Sequence, residues 1–541
     1  MTTLFATGDV SGGNMAVSLL DTLDWGSRLE GSVITYAFYD DGATVDLDMD
    51  EDGDGGTQVL AGWTDYEKQQ ARLAFETFAR VTQLSFVEVE APEDADIRLA
   101  LFDFDAPGML GFGVAPGAVI AGQGGGFAAF NIGSPLWSRE AGGNLDQGGY
   151  AFITLTHEFG HVLGLAHPHD DGGGSPLMPG VIVDTYHPQG STGFYELNQG
   201  VYTMMSYNDG WITGPLPKAS PETPYGWATG PMALDIAILQ QKYGVNDDPG
   251  HAHTVYRLLD EPAPGYGYTT IWSNAGGHII MYQGERDAVI NLQPATLDVE
   301  WGGGGWLSYV DGVTGGFTIA HGVDVLNAIS GSGNDTLIGN ALDNLFDAGL
   351  GENTIYGNGG ADVVLYGGSV HDYAVTRDDE GAWVVQADDE SRQDTLHDIR
   401  QLDFDEGRLY VEALAQESLA VGALYLSMLD RLPDAEGYGY WTGAVLGGVE
   451  LGTVAGLLGD SDEFSAGYGA ASDADYVEVL YQTLLMREAD EEGATYWIAE
   501  LTSGALNRGT LALQFLEADE QPDAFLEALV DTVITFGDLW A

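Results

Sequence analysis

The chain has 541 residues, too many for one hydrophobic core and enough for about three or four domains. A hydrophobic fraction of 44% lets most of it fold, but 83 acidic against 17 basic side chains give a formal charge of -66. Such a surface repels nucleic acid and anionic membranes and attracts divalent cations; the lack of cysteine excludes disulfides and thiolate metal or nucleophile sites.

The first residues, Met1-Thr-Thr-Leu-Phe-Ala-Thr-Gly, carry neither a basic n-region nor an apolar h-region, so no ordinary amino-terminal signal peptide is expected. Residues 1–30 read as a lead-in or short pro-segment. Ser32–Tyr39 alternates and is rich in aromatics, as a strand does. Asp46 to Asp54 approximates the start of a calcium loop, but its twelfth position is Val59 instead of a bidentate Glu, which favours a solvated acidic loop. Asp65–Ala79 has helical periodicity, and strands are expected at Leu84–Val89 and Ile97–Phe102. The uncharged, glycine-rich run Gly122–Asn131 reads as a strand and loop, expected to lie along a substrate cleft.

Residues 150–170 contain H-E-x-x-H-x-x-G-x-x-H, with His157, Glu158, His161, Gly164 and His167 in register. On a helix, His157 and His161 share a face and can aim two imidazoles at one ion. Glu158 is one step round, placed to take a proton from water. Gly164 lets the chain turn so that His167 returns as a third ligand. Three imidazoles leave one tetrahedral position open, the arrangement of a catalytic zinc. A bare H-E-x-x-H occurs by chance on amphipathic helices; the extended form is far more specific.

Met205-Ser-Tyr207 follows, and then a helix, Asp235–Gly244, closed by glycine. With the extended histidine motif and Pro168, these segments resemble the serralysin group of the metzincin zinc endopeptidases over about residues 30–245. The resemblance implies that Met205 lies in a tight turn beneath the zinc. It also implies that Tyr207 can ligate zinc at rest and swing to stabilise an oxyanion. The run His169-Asp-Asp-Gly-Gly-Gly departs from the family and bears on the shape of the neighbouring cleft.

Further on, a nine-residue period places Asp335, Asn344, Asn353 and Asp362 in one phase and Leu337, Phe346, Ile355 and Val364 in another, with glycines at the turns. This matches the nonapeptide of calcium-binding parallel β-rolls (RTX repeats), the apolar set pointing inward and the four polar positions offering oxygens to Ca²⁺. Two of the four are Asn, so fewer calcium ions are expected than in a full roll. Such repeats typify proteins exported whole by type I secretion machinery and folded on meeting calcium outside the cell.

Near the end, Leu424, Tyr425, Arg431, Asp434, Gly437, Tyr440 and Trp441 recur 56 residues later, from Leu480 to Trp497. The unit is helical, its aromatics read as core, and it resembles a domain of unassigned function common in bacterial exoproteins (DUF4214).

The expected organisation is multidomain. It comprises a lead-in (1–30), an α+β metzincin-like catalytic domain (31–247), a parallel β-roll domain (248–411, repeats at about 330–366), an all-α repeat domain (412–520) and a tail (521–541) that is a candidate export signal. The expected function is that of an extracellular, monomeric zinc metalloendopeptidase acting on proteins or peptides. It would carry one catalytic Zn²⁺ and several structural Ca²⁺, without nucleic-acid binding or membrane insertion. The rival is a calcium-binding surface or adhesion protein with an incidental zinc domain.

Overall fold

A computed structural model describes residues 17–47, 56–103, 110–187, 189–221, 223–247, 252–378, 381–410, 417–429, 431, 433, 435–446 and 448–516. The acidic loop around Asp48–Asp54, the repeat residue Asp434 and the candidate export signal lie outside the described residues. The chain divides into two compact units, residues 1–326 and 327–541.

The first unit is built on a five-stranded sheet. Strands β1 (Val33–Phe38), β2 (Ser85–Glu88), β3 (Ile97–Phe102), β4 (Gly111–Gly113) and β5 (Phe127–Asn131) lie in the order β2-β1-β3-β5-β4. All neighbours are parallel except β4, which runs antiparallel to β5 at the edge. Side chains alternate across the strands. Ile97, Leu99, Leu101, Ala128 and Phe130 enter the main core, while Ala100, Phe102, Phe127 and Ala129 fill a smaller one on the opposite face.

Three helices cover the main face. Helix α1 (Asp65–Val81) starts with a capping box in which Thr64 and Glu67 bond each other's backbone N–H groups. Buried Glu67 also accepts from Trp137 and Arg139. Helix α2 (Tyr150–Val162) is buried on nearly all sides, which its apolar composition allows. Phe159 of α2 stacks on Phe75 of α1 with centroids 4.2 Å apart and planes 2° from parallel. Helix α3 (Ala233–Tyr243) ends at Gly244, as expected.

Two expected boundaries move. Residues 17–30 are part of the fold: Leu19 and Leu23 are fully buried in the main core, and Lys242 pairs with Asp24. The unit also extends past 247 to 326, because Tyr268 and Leu307 bury their side chains in the same core. The uncharged run before α2 is likewise not at a cleft: Phe127–Asn131 is a fully buried inner strand.

In the second unit, parallel strands pair at a spacing of two nonapeptides. Asn327 faces Leu345, Leu345 faces Val363, and Thr336 faces Thr354. Successive repeats therefore fall alternately on two sheets. Leu337, Phe346, Ile355 and Val364 are all fully buried, as the period required. Beyond them, among the described residues, come seven helices between Glu417 and Leu516. Both copies of the 56-residue repeat make the same local contacts, Arg431 over Tyr425 and Arg487 over Tyr481. The expectation that the repeat aromatics are core holds for Tyr425 and Tyr481. It fails for Tyr440 and Tyr496, which are exposed.

The Phe75–Phe159 stack ties α2 to α1 and hence to the sheet. Phe159→Ala should lower the stability of this unit by about 3–5 kcal/mol. Val119→Ala, at an exposed position, should stay within about 0.5 kcal/mol. Tryptophan-monitored urea unfolding of the full chain measures both.

Candidate metal centre and cleft

Helix α2 presents His157 and His161 one turn apart and both buried. At its end the chain turns through Gly164, whose φ is +87° and whose missing Cβ would lie 2.1 Å from the Ser27 carbonyl oxygen. Only glycine fits both demands. The turn returns His167 to the helix face, with its Nε2 at 3.1 Å from that of His157 and 2.9 Å from that of His161.

The opposite ring nitrogens fix the tautomers. His157 Nδ1 lies 2.7 Å from the Met204 carbonyl, His161 Nδ1 3.0 Å from the Leu165 carbonyl, and His167 Nδ1 2.6 Å from Asp170 Oδ2. All three partners are acceptors, so each Nδ1 carries the proton and each Nε2 is left with a bare lone pair. Three lone pairs facing one another at about 3 Å cannot hydrogen-bond among themselves. A cation at their centre satisfies all three, and neutral imidazoles suit zinc. Burial supports neutrality by pushing His157 down to about 3 and His161 well below its ordinary value.

Glu158 also lies buried beside the histidines. Burial pushes its carboxyl up to about 8, while a backbone hydrogen bond from Gly113 of β4 works the other way. Gly113 lies so close to α2 that a Cβ there would meet the Glu158 carbonyl oxygen at 2.3 Å.

Met205 is fully buried and packs its sulfur against Gly160, beneath the histidines. The turn that carries it is held by Asp235, a fully buried carboxylate that sequence reasoning passed over as part of a helix. Asp235 accepts from Thr203 Oγ1 at 2.6 Å, Met204 N–H at 2.7 Å and Met232 N–H at 2.9 Å. Burial raises Asp235 to about 6, against the pull of these three bonds. The chain Asp235–Met204–His157 thus fixes one imidazole from 78 residues away in sequence.

Tyr207 is half-exposed, its ring 5.5 Å from His157 and 4.7 Å from His167 between centroids. Partial burial and the nearby charge of Glu158 push its phenol up, so its hydroxyl keeps a proton to donate. The run that departs from the family pattern has defined places. His169 is buried with its ring against both His167 and Tyr207, Asp170 orients His167, and Gly172–Gly173 make room for Trp25, which meets His161 edge-on.

Beside Glu158 and Tyr207 opens a cleft of about 550 Å³ between one stripe of α2 and the turn after Met204. Leu110 and Gly111 of the β4 edge border it, which sequence reasoning did not foresee.

The four expected calcium positions are buried and have protein partners. Asn353 Oδ1 accepts from the Asp335 N–H at 2.9 Å and Asp362 Oδ1 from the Asn344 N–H at 2.8 Å, each across one coil. Asn344 Oδ1 accepts from the Asn340 N–H, and Asn353 Nδ2 donates to Asp394. Among the described residues, the groups of three or more His, Asp or Glu that converge as metal ligands lie around His167.

Residues 62–185 match the family model for matrixin, residues 271–425 that for the peptidase M10 serralysin C terminal, and residues 455–525 a domain of unknown function (DUF4214). A serralysin of Photorhabdus luminescens is 31% identical over 292 residues, covering 52% of this chain and 54% of that protein. The chain is related to the serralysins. The metalloprotease AprA of Pseudomonas entomophila is 30% identical over 303 residues (54% and 56%), and serralysin A of Dickeya chrysanthemi 30% over 284 (50% and 52%). This serralysin-related chain spans about half the length of the curated relatives it matches.

Asp170 lies outside the motif yet sets the tautomer of His167. Asp170→Ala should weaken zinc binding by roughly 10–100-fold. Competition with a chromophoric chelator measures it, and an unchanged affinity would show that His167 needs no such support.

Proposed function

We propose that the chain is a secreted zinc endopeptidase. The observation that carries the proposal is the set of three proton-free Nε2 atoms converging beside a buried carboxylate at the wall of an open cleft. His157, His161 and His167 would hold the metal, with Tyr207 as a further ligand at rest. Zinc in that position supplies a Lewis acid that polarises a carbonyl and makes a water acidic.

The protein's own groups do the rest. Strand β4 is a sheet edge whose outer side pairs with no other described strand, so an extended peptide can lie along it. Glu158, beside the histidines, takes the proton of the attacking water and passes it to the leaving amine. Burial raises its affinity for protons, and a dication beside it would lower that affinity toward the operating pH. Tyr207, on the far wall, donates its hydroxyl hydrogen to the oxyanion as the carbonyl carbon becomes tetrahedral. Met205 and Gly164 keep the ligand geometry and take no part in the proton transfers.

The parallel coils after Asn327 fit a calcium-binding β-roll, supported by the match of residues 271–425 to the serralysin C-terminal model. Its acidic positions would repel one another until calcium binds, so folding would follow export into a calcium-rich medium. Asn344 and Asn353 already bond within the protein, which favours few ions. The protease would act on extracellular proteins as a monomer after leaving by type I secretion.

Glu158→Gln should keep zinc with unchanged affinity while kcat on casein falls by roughly 10²–10⁴-fold. Turnover within about threefold of the wild type would remove Glu158 from the mechanism.

A further inference from the structure

Asp209 lies on the cleft wall opposite α2, two residues past Tyr207. It is exposed and shares the cleft lining with Tyr150 and Tyr207. Among the described residues that line the cleft there is no Lys or Arg. No hydrogen bond or ion pair among the described residues engages the Asp209 carboxylate.

The stripe of α2 along this cleft runs from Tyr150 to Glu158, and at about 1.5 Å per residue that is roughly 12 Å of wall. Ile153 and Met204 supply apolar surface to the same cleft. A cleft that joins some apolar surface to an unpaired carboxylate suits a side chain with a long aliphatic stem and a cationic tip, the form of lysine and arginine. An acidic side chain in the same cleft would face a like charge, with no Lys or Arg among the described lining residues to pair it.

We propose that Asp209 is a specificity-determining residue, selecting substrates with Lys or Arg beside the scissile bond and rejecting Asp or Glu there. The inference rests on the endopeptidase reading above. It differs from the general pull of an acidic protein on cationic substrates, because that pull is long-range and is screened by salt, whereas a direct contact with the exposed Asp209 acts at one substrate position only.

The test uses the zinc- and calcium-loaded full chain in ~0.5 M salt at about pH 8.5, where long-range attraction is screened. Quenched fluorescent peptides differ only at one residue flanking the cleaved bond, scanned on either side with Lys, norleucine or Glu. The wild type should prefer Lys over Glu at one such position by at least about tenfold in kcat/KM, one close charge pair's worth. Asp209→Asn should shrink that ratio to within about threefold, and Asp209→Lys should invert it. Binding of the same peptides to Glu158→Gln, with and without Asp209→Asn, gives a readout independent of turnover and should show the same loss of discrimination.

A wild type that cleaves Lys and Glu peptides alike, or a ratio that survives both substitutions, overturns the inference and leaves the endopeptidase standing. A chain that binds zinc but cleaves none of the peptides and no casein fails the endopeptidase reading, and the inference with it.

Discussion

The site depends on three hydrogen bonds that point away from it. By donating Nδ1–H to Met204, Leu165 and Asp170, the three histidines are left with their other nitrogens deprotonated and facing inward. Burial then makes protonation of His157 and His161 costly, so the cluster cannot relieve itself by taking up protons. The remaining relief is a cation. Much of the first unit can be traced to keeping these three acceptors in place: Asp235 holds the turn that bears Met204, and the glycine bend at 164 brings Leu165 and His167 round.

Close backbone approach is the means. Strand β4 reaches Glu158 because Gly113 has no side chain to block it, and the segment from Leu23 to Ser27 runs against the turn after α2 because Gly164 has none. The Trp25 N–H bonds the Gly164 carbonyl at 3.1 Å and the Ala166 N–H the Leu23 carbonyl at 2.9 Å. Leu23 to Ser27, within the expected lead-in or short pro-segment, is therefore a brace for the turn that carries the third histidine. Buried, polar and backbone-dense, the site is held from several distant parts of the chain.

What the sequence made legible was local. His157, His161 and His167 lie within one helix and its exit turn, so spacing alone predicts their convergence, and the nine-residue period likewise predicts which four side chains fill the coil. What it hid was long-range. Asp235 looks like any carboxylate at a helix start, and nothing near it in sequence shows that it bonds the Met204 amide. The cleft was assigned to Gly122–Asn131 for want of charge, but low charge also marks an inner strand, and that is what the sheet makes of Phe127–Asn131. The exposed Tyr440 and Tyr496 show the same limit: a repeated aromatic position says that the unit recurs, not which way the ring faces.

The most direct measurement is a zinc titration of the metal-stripped chain, folded in calcium, with casein cleavage followed at each addition. The three-histidine account predicts no cleavage without zinc and a linear rise that levels off at one equivalent, since the proton-free nitrogens converge on a single point. Cleavage in the stripped chain, or one tightly bound zinc with no cleavage at any level, would contradict it.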